Sequence, residues 1–176
     1  YDESRKVGIR PEVLFAQICC ETGFLQFGGD VKAAQCNFGG IGATGGVPGV
    51  DFVSYAKQNY KYLTDGTGKP YTSASAAAAD AVRVGIRAQA THLALYASDD
   101  GTQPSVKTVN GTYIPDPRAY TSIIGKAPYV EWLGIYDNYH STGEVAGEPT
   151  VKSGWAGTNN YGYTLISNYI NPLLRS

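Results

Sequence analysis

The sequence has little charge and no long apolar run, and both shortages exclude classes of partner. Its 176 residues contain 14 Lys and Arg against 15 Asp and Glu, which gives a formal net charge of −1. That balance provides no basic surface able to neutralise a series of DNA or RNA phosphates. No stretch approaches the roughly 20 apolar residues needed to cross a bilayer. We therefore expect neither nucleic acid nor a membrane among the partners.

Methionine is absent, and the chain opens on Tyr1 without a charged segment followed by an apolar one. A secretory leader would have that pattern. We therefore expect a processed or excised domain whose targeting segment is not part of this sequence. The length predicts a single compact domain over residues 1–176, because two independent cores would need a longer chain.

Cysteine and histidine are both scarce, which argues against a metal site. The three thiols are Cys19, Cys20 and Cys36, and the chain has two histidines, His92 and His140. Their spacing matches no zinc pattern, so we predict neither a metal nor another cofactor. Two alternatives stay open for the thiols. Cys36 forms a disulfide with Cys19 or Cys20 in an oxidising compartment, or all three are small buried apolar groups.

Tyrosine and glycine are abundant instead. The chain has 14 Tyr, 2 Trp and 22 Gly. Tyrosine combines a flat apolar face with a hydrogen-bonding tip, which suits the binding of sugar rings. Composition alone, however, favours amphipathic loops that have no ligand.

The stretch PEVLFAQICCET predicts a helix from Pro11 to Thr22. Proline is tolerated in a first helical turn, and Gly23 stands where a helix would stop. Apolar side chains and one acid recur at the spacing of one helical face: Leu14, Ile18, Glu21 and Leu25.

The glycine-rich residues 39–68 predict a mobile or β-containing lobe. The run SASAAAADAVRVGIRAQATHLALYAS then predicts a long core helix capped by Ser73 or Ser75, with a break at Gly85. Its predicted buried face comprises Val82, Ile86, Ala90, Leu93 and Ala97. On this helix we expect His92 to pack rather than to act in chemistry.

Two further helices are predicted towards the end of the chain. The segment APYVEWLGIYDNY, residues 127–139, reads as a short one. The final segment reads as an amphipathic one with Leu165, Tyr169 and Leu173 in step at four residues.

Glu21 is the strongest candidate for chemistry. Apolar surroundings and the negative end of a helix both favour the protonated carboxylic acid, which is what a general acid requires. The same helix end disfavours a thiolate at Cys19 or Cys20, so a cysteine peptidase is the weaker alternative. From position alone, a structural glutamate capped by the glycine-rich exit remains open.

Several blocks occur in an order that resembles a known family. They are RPEVLFAQICCETGF, CNFGGIGATGG, VGIRAQATHLALYA, DPR and GWAGTNNYGYTLI, spanning about Arg10 to Ile166. In this order they resemble the bacterial glucosaminidases of glycoside hydrolase family 73. The resemblance implies an α+β, predominantly helical, lysozyme-like fold with a small Gly-rich β lobe across a cleft.

The resemblance also implies site residues and a substrate. Glu21 aligns with the family's catalytic acid. Asn37 and Phe38 match a turn across the cleft, and Trp155 and Tyr161 match a closing aromatic element, so all four are predicted to bind substrate. The implied partner is the glycan strand of peptidoglycan, which implies action outside the cell or in the cell wall. We expect a monomer, with cell-wall-binding domains outside this chain as an open alternative.

The second carboxylate is less well defined. Asp51, in the glycine-rich segment, is the candidate for the opposite wall, and Asp30 and Asp65 compete with it. We expect Asp116 to form a local ion pair with Arg118. If none of the candidates faces Glu21, the acetamido group of the sugar attacks its own anomeric carbon.

The function predicted from sequence is an endo-β-N-acetylglucosaminidase that cleaves peptidoglycan with Glu21 as general acid. A muramidase or a lytic transglycosylase on the same glycan is an alternative within the same fold. An alternative from another class is a cell-wall-binding module without activity.

Overall fold

Helices form most of the regular structure. The computed structural model describes residues 1–97, 108–109, 112–113, 121–145 and 147–175. Its α-helices, in chain order, are α1 Asp2–Lys6, α2 Pro11–Thr22, α3 Phe52–Asn59, α4 Ala74–Ala79, α5 Ala81–Ala97, α6 Tyr161–Leu165 and α7 Asn171–Arg175. Single 3₁₀ turns occupy Ala33–Gln35, Tyr60–Tyr62, Thr121–Ile123 and Val130–Leu133.

In the part of the chain that the structure describes, the strands form three antiparallel hairpins. Their strands are β1 Ala43–Thr44 with β2 Val47–Pro48, β3 Thr108–Val109 with β4 Thr112–Tyr113, and β5 Thr142–Val145 with β6 Glu148–Val151. The predicted α+β, mainly helical and lysozyme-like class is confirmed.

Helix α2 has the predicted bounds, Pro11–Thr22. It ends because Gly23 adopts a left-handed conformation, with φ 57° and ψ 52°, in which its N–H bonds the carbonyl of Cys19. A glycine reaches this conformation without the steric cost that a Cβ atom brings. Leu14 and Ile18 are buried as predicted, but Leu25 is 54% exposed. The prediction for Leu25 was wrong because the chain has already left the helix.

The predicted core helix is divided at Asp80 rather than at Gly85. Ser73 caps α4, accepting a hydrogen bond from the Ala76 N–H at 3.1 Å. Helix α5 then continues through Gly85, where a Cβ atom would overlap the carbonyl oxygen of Cys36. Gly85 therefore permits a close approach between segments, and it does not break the helix.

The predicted buried face of α5 was only partly right. Ala90 and Leu93 are buried, whereas Val82 is 52% exposed. Neighbours surround the helix on several sides, so burial does not follow one stripe. Its fully or nearly buried residues are Ala81, Val84, Gly85, Arg87, Ala88, Gln89, Ala90, Thr91, Leu93, Leu95 and Tyr96.

The segment 39–68 contains less β structure than predicted. It forms the β1–β2 hairpin, but the aromatic run that follows is the helix α3. Asp51 caps this helix: its carboxylate accepts hydrogen bonds from the N–H groups of Val53 (2.9 Å) and Ser54 (3.3 Å). An aspartate in this position stabilises the first helical turn.

The last helical segment changes its winding, and the predicted stripe fails there. Residues Ile166–Ile170 form a π-helical turn between α6 and α7. A π-turn takes an extra residue, so the buried positions are Leu165 and Ile170, five apart. Leu173, predicted to be in step, is 37% exposed. Residues 127–139 contain only the 3₁₀ turn Val130–Leu133 where a short helix was predicted.

Two apolar cores share α5. One packs α2 and α6 against the second half of α5, and the other packs α3 and α4 against its first half. Phe38 contacts both cores. Helix α5 therefore fixes α2 and α6 on one side relative to the glycine-rich hairpin on the other. Within the described residues, no helix is both long and apolar enough to cross a membrane.

A buried ion pair ties α1 to α5. Glu3 and Arg87 are 4% and 5% exposed, and the Arg87 Nε lies 2.6 Å from the Glu3 carboxylate. Arg87 Nη1 also donates to the carbonyl of Thr64 at 2.7 Å. Burial pushes the pKa of Glu3 upward, but hydrogen bonds and charge from Arg87, with further donors from Arg83 and Lys6, lower it from 4.5 to about 2.

Removing one partner of this pair is predicted to destabilise the protein strongly. In Glu3→Gln the Arg87 guanidinium stays buried without its counter-charge, which costs about 3–5 kcal/mol. Urea unfolding at pH 7 measures the loss. Glu12→Gln is the matched control, because Glu12 pairs with Arg10 on the exposed surface at 3.6 Å and should change stability by about 1 kcal/mol or less.

The same ion pair predicts that the stability of the folded protein falls in acid. The pKa of Glu3 is lower in the folded chain than in the unfolded one. Its stabilisation is therefore complete above about pH 4.5 and is lost as the pH falls towards 2. The stability difference between the parent protein and Glu3→Gln should shrink over that range. A difference independent of pH between 5 and 2 would contradict this assignment.

Candidate active site

A cleft of about 420 Å³ lies between the end of α2, the glycine-rich hairpin and the segment before α6. Its lining comes from residues 21–31, 37–45 and 155–161. Of the six residues predicted for the site, Glu21, Asn37, Trp155 and Tyr161 line the cleft. A cavity of this size is typical of sites for small ligands or a few sugar units.

Glu21 occupies the last turn of α2, and the chain turns sharply after it. The buried Thr22 holds this turn: its hydroxyl donates to the Ile18 carbonyl at 2.6 Å and accepts from the Leu25 N–H at 2.8 Å. Phe24, Leu25 and Phe27 all have left-handed backbone conformations, with φ of 56°, 67° and 52°. Non-glycine residues adopt this conformation at a cost, and such strain concentrates at functional sites.

The two oxygens of Glu21 have different surroundings. Oε1 accepts hydrogen bonds from Trp155 Nε1, at 3.1 Å, and from the hydroxyl of Tyr161. Oε2 faces the hairpin, where a Cβ atom on Gly40 would lie 3.9 Å away. Because both donors occupy the lone pairs of Oε1, a proton on this carboxyl group belongs on Oε2. Gly40 and Glu21 both line the cleft, so Oε2 lies at the cleft wall.

A buried chain of amides orients Tyr161. The Gln89 Nε2 donates to Gln17 Oε1 at 2.9 Å, and Gln17 Nε2 donates to the Tyr161 hydroxyl oxygen at 3.4 Å. Both glutamines are fully buried. The Tyr161 oxygen accepts from Gln17, so its own hydrogen is directed to Glu21. The sequence analysis did not predict a role for Gln17 or Gln89. The available signal was that each is a polar residue among apolar ones, Gln17 on α2 and Gln89 on α5.

The surroundings of Glu21 shift its titration. Desolvation by the protein atoms around the carboxylate raises the pKa of Glu21, and the hydrogen bonds from Tyr161 and Trp155 oppose the rise without cancelling it. The residue as a whole is nevertheless exposed, and it lines the cleft. Desolvation together with access to a ligand is the combination that a general acid needs.

Helix α5 also supports Trp155. The ring of His92 lies edge-on to the indole, with centroids 5.0 Å apart, and the Tyr96 ring lies 6.2 Å away. The Tyr96 hydroxyl donates to the carbonyl of Gly154 at 2.8 Å. As predicted, His92 packs on aromatic neighbours, and those neighbours include the tryptophan that bonds Glu21.

Asn37 and Phe38 support the turn and the ring that form part of the cleft wall. Asn37 is 1% exposed, and its amide both donates to the Ile41 carbonyl (2.9 Å) and accepts from the Ile41 N–H (2.8 Å). This closes the turn that carries Gly40. Phe38 is not part of the cleft lining. It packs edge-on against Phe27, and Phe27 does line the cleft. The sequence analysis did not predict Phe27 as a cleft residue. The available signal was its position, six residues after Glu21.

The candidate second carboxylates lie in different places. Asp30 lines the cleft, and its Oδ2 accepts from the Gly46 N–H of the hairpin at 3.0 Å. Asp51 lies outside the cleft lining, where its carboxylate caps α3. The Asp65 carboxylate accepts from Thr67 and Lys69 within its own turn. The predicted pair of Asp116 and Arg118 lies outside the described residues.

The thiols lack the features of a nucleophile. All three are free, with Cys19 and Cys36 buried and Cys20 half-buried. Burial raises the pKa of each thiol, and the charge of Glu21 raises that of Cys20 further. A raised thiol pKa leaves little thiolate near neutrality. Within the described ranges, no three His, Cys, Asp or Glu side chains gather in a group that could hold a metal ion.

A comparison with protein families matches almost the entire chain. Residues 1–172 match the family described as "Glucosaminidase: Mannosyl-glycoprotein endo-beta-N-acetylglucosaminidase". The chain belongs to the glucosaminidase family. No curated protein and no solved structure matches it. The predicted membership of this family, glycoside hydrolase family 73, is thereby confirmed.

Membership fixes the activity at the level of the family. The glucosaminidase family consists of glycoside hydrolases, and it acts on the glycan of peptidoglycan. Action on peptidoglycan is consistent with a location outside the cell or in the cell wall.

The hydrogen bonds at Oε1 predict how variants change the titration of Glu21. Tyr161→Phe removes a donor that stabilises the anion, so the pKa of Glu21 should rise. Gln17→Leu only releases the Tyr161 hydroxyl from its fixed orientation, so it should raise this pKa by less. The double variant should match Tyr161→Phe alone, because Gln17 acts through the tyrosine.

Carboxyl NMR titration of ¹³C-glutamate-labelled protein measures these shifts, with the Glu21 signal assigned by its loss in Glu21→Gln. Tyr163→Phe is the matched control, since Tyr163 is exposed and two residues away on the same helix. It should leave the signal unchanged. A Tyr161→Phe protein that folds normally and titrates at the parent value would refute the assigned bond.

Proposed function

We propose that this glucosaminidase is an endo-β-N-acetylglucosaminidase that cleaves the β-1,4 bond after N-acetylglucosamine in peptidoglycan, with Glu21 as the general acid. One observation carries the proposal: Glu21 keeps one oxygen occupied by two donors and turns the other, protonatable one towards the cleft. Cleavage of a glycosidic bond needs a proton delivered to the departing oxygen.

In the proposed step, Oε2 of Glu21 gives its proton to the glycosidic oxygen as the bond to the anomeric carbon breaks. The leaving sugar departs as an alcohol, and Glu21 is left as a carboxylate. Trp155 and Tyr161 already donate to Oε1, so the new charge forms beside donors that need not move. In the second half of the reaction the same carboxylate removes a proton from water while the water oxygen bonds to the anomeric carbon, which releases the remaining glycan with a new reducing end and leaves Glu21 protonated again.

Asp30 is proposed as the second carboxylate, on the grounds that it lines the same cleft as Glu21. There it would stabilise the positive charge that develops on the sugar ring. The sequence-based candidate Asp51 is kept as the alternative. Its bonds to Val53 and Ser54 explain the position of its side chain without a catalytic role.

The glycan is proposed to lie between aromatic and glycine-rich walls. Phe27 and Trp155 offer apolar ring faces, while the absence of a side chain at Gly40, beside Glu21, leaves room for a bulky N-acetyl group. Tyr161 bonds Glu21 directly, so we assign it to the acid rather than to sugar binding. Within the proposal the protein acts as a monomer in the cell wall or outside the cell, with no cofactor.

Glu21→Gln is predicted to fold normally and to lose about 10²- to 10⁴-fold in turnover, since glutamine cannot donate the proton. Release of soluble fragments from purified peptidoglycan measures turnover. Glu12→Gln on the same helix is the control and should stay near the parent rate. A Glu21→Gln protein with near-parent activity would end the proposal.

Mass spectrometry of borohydride-reduced fragments identifies the bond that is cut. New reducing ends on N-acetylglucosamine are expected. Reducing ends on muramic acid would instead indicate a muramidase, and 1,6-anhydro ends a lytic transglycosylase. Tight binding to the wall with no fragments from the parent protein would indicate a binding module.

The second carboxylate is tested by amide substitution. Asp30→Asn should lower turnover by roughly 10²-fold, the lower end of the range for a proton-transfer group. Asp51→Asn should stay within about twofold, because asparagine also caps helices well. Loss of activity in Asp51→Asn alone would restore the sequence-based candidate. Full activity in both variants would point to the acetamido group of the substrate.

A further inference from the structure

Four aromatic rings form a second cluster that lies outside the cleft lining. We name Tyr129, Trp132, Tyr139 and His140 the aromatic platform. Trp132 is at its centre: its ring centroid lies 5.1 Å from that of Tyr129 and 5.8 Å from those of Tyr139 and His140. Tyr139 is stacked on Trp132 with an angle of 24° between the rings, so one face of Tyr139 is covered and the other is free.

The platform opens broadly to solvent. Tyr139 is 77% exposed and Tyr129 is 61% exposed, whereas Trp132 is half-buried and packs against the core beneath. Flat apolar faces in water are unfavourable in the absence of a ligand. Tyrosines presented on an anchored ring are therefore better explained by binding than by folding.

A buried asparagine holds the platform rigid. Asn138 is 4% exposed, and its Nδ2 donates to the carbonyls of Lys126 and Trp132, each at 2.7 Å. Its Oδ1 accepts from the N–H of His140 at 2.7 Å. One side chain thus joins the segments on both sides of the platform. Rings that are fixed before a ligand arrives lose little entropy on binding.

The platform is joined through the backbone to a wall of the cleft. The carbonyl of Leu133, next to Trp132, accepts from the N–H groups of Trp155 (2.7 Å) and Ala156 (3.0 Å). The Ile135 N–H donates to the Ala156 carbonyl at 2.9 Å. Trp155 and Ala156 both line the cleft. A polymer bound in the cleft therefore has a second aromatic surface on an adjacent segment of the same hydrogen-bonded unit.

We propose that the aromatic platform binds N-acetylated pyranose rings of the peptidoglycan glycan strand, outside the cleft. Exposed Tyr faces match the apolar C–H face of a sugar ring, and their hydroxyl groups can bond sugar hydroxyl and acetamido groups. The choice of a glycan as ligand rests on the proposed function. Attachment at two places on one strand raises the affinity for long chains without a new contact at the reacting bond.

The test measures binding without cleavage, in the full chain carrying Glu21→Gln. Purified peptidoglycan is sedimented with this protein and with the same protein carrying Tyr129→Ala and Tyr139→Ala. The dissociation constant should rise roughly tenfold or more, the effect of losing two aromatic contacts. Tyr129→Phe with Tyr139→Phe keeps the ring faces and should retain most of the binding. Tyr1→Ala with Tyr163→Ala, exposed tyrosines elsewhere, is the matched control.

Two results would overturn the proposal. One is unchanged binding in the folded alanine variant. The other is a parent protein that light scattering finds to be a dimer and that these alanines convert to a monomer, which would make the platform a contact between copies. The proposed function is judged separately from the turnover of the unsubstituted protein on the same peptidoglycan. If the parent protein cleaves peptidoglycan but the platform variants bind as well as the parent, only the platform proposal is wrong. If binding depends on the platform but the parent protein shows no turnover, only the proposed activity is wrong.

Discussion

The arrangement of the site depends on two donors that share one carboxylate oxygen. Trp155 Nε1 and the Tyr161 hydroxyl both bond Oε1 of Glu21, and in the proposed function this leaves Oε2 to carry the proton. Neither donor is close to Glu21 in sequence, so the bond pattern exists only when the tertiary packing is correct. The hydrogen bonding of Glu21 therefore depends on the packing of the whole fold as well as on helix α2.

Helix α5 links this bond pattern to the rest of the molecule. Its first half belongs to the core under the glycine-rich hairpin, and its second half belongs to the core between α2 and α6. From the second half, Gln89 reaches Gln17 and His92 packs on Trp155. The same helix is tied to α1 by Arg87 and Glu3. One element therefore supports Trp155 in the cleft wall, holds the amide chain that orients Tyr161 and carries the buried ion pair with α1.

Much of this fold could be predicted from sequence, and the failures have physical causes. Helix α2 was predictable because Pro11 and Gly23 act locally, through a fixed φ and a left-handed cap. The position of Glu21 in the last turn of α2 was predictable for the same local reason, while its proposed role came from the order of the motifs. Gln17 and Gln89 were missed because a buried amide chain depends on partners 72 residues apart. Asp51 was chosen by its position in the glycine-rich segment, but its partners Val53 and Ser54 lie two and three residues further along the chain, so its helix-capping role was a local signal that the prediction overlooked.

The central claim is that the acidic hydrogen is on Oε2 of Glu21 and faces the glycan. Neutron diffraction from deuterated crystals soaked with a chitin-type oligosaccharide, at a pH below the pKa of Glu21, observes that hydrogen directly. The account predicts a deuteron on Oε2 within hydrogen-bond reach of the bridging glycosidic oxygen, with Oε1 still accepting from Trp155 and Tyr161. A deuteron on Oε1, or a sugar bound with its bridging oxygen remote from Glu21, would contradict it.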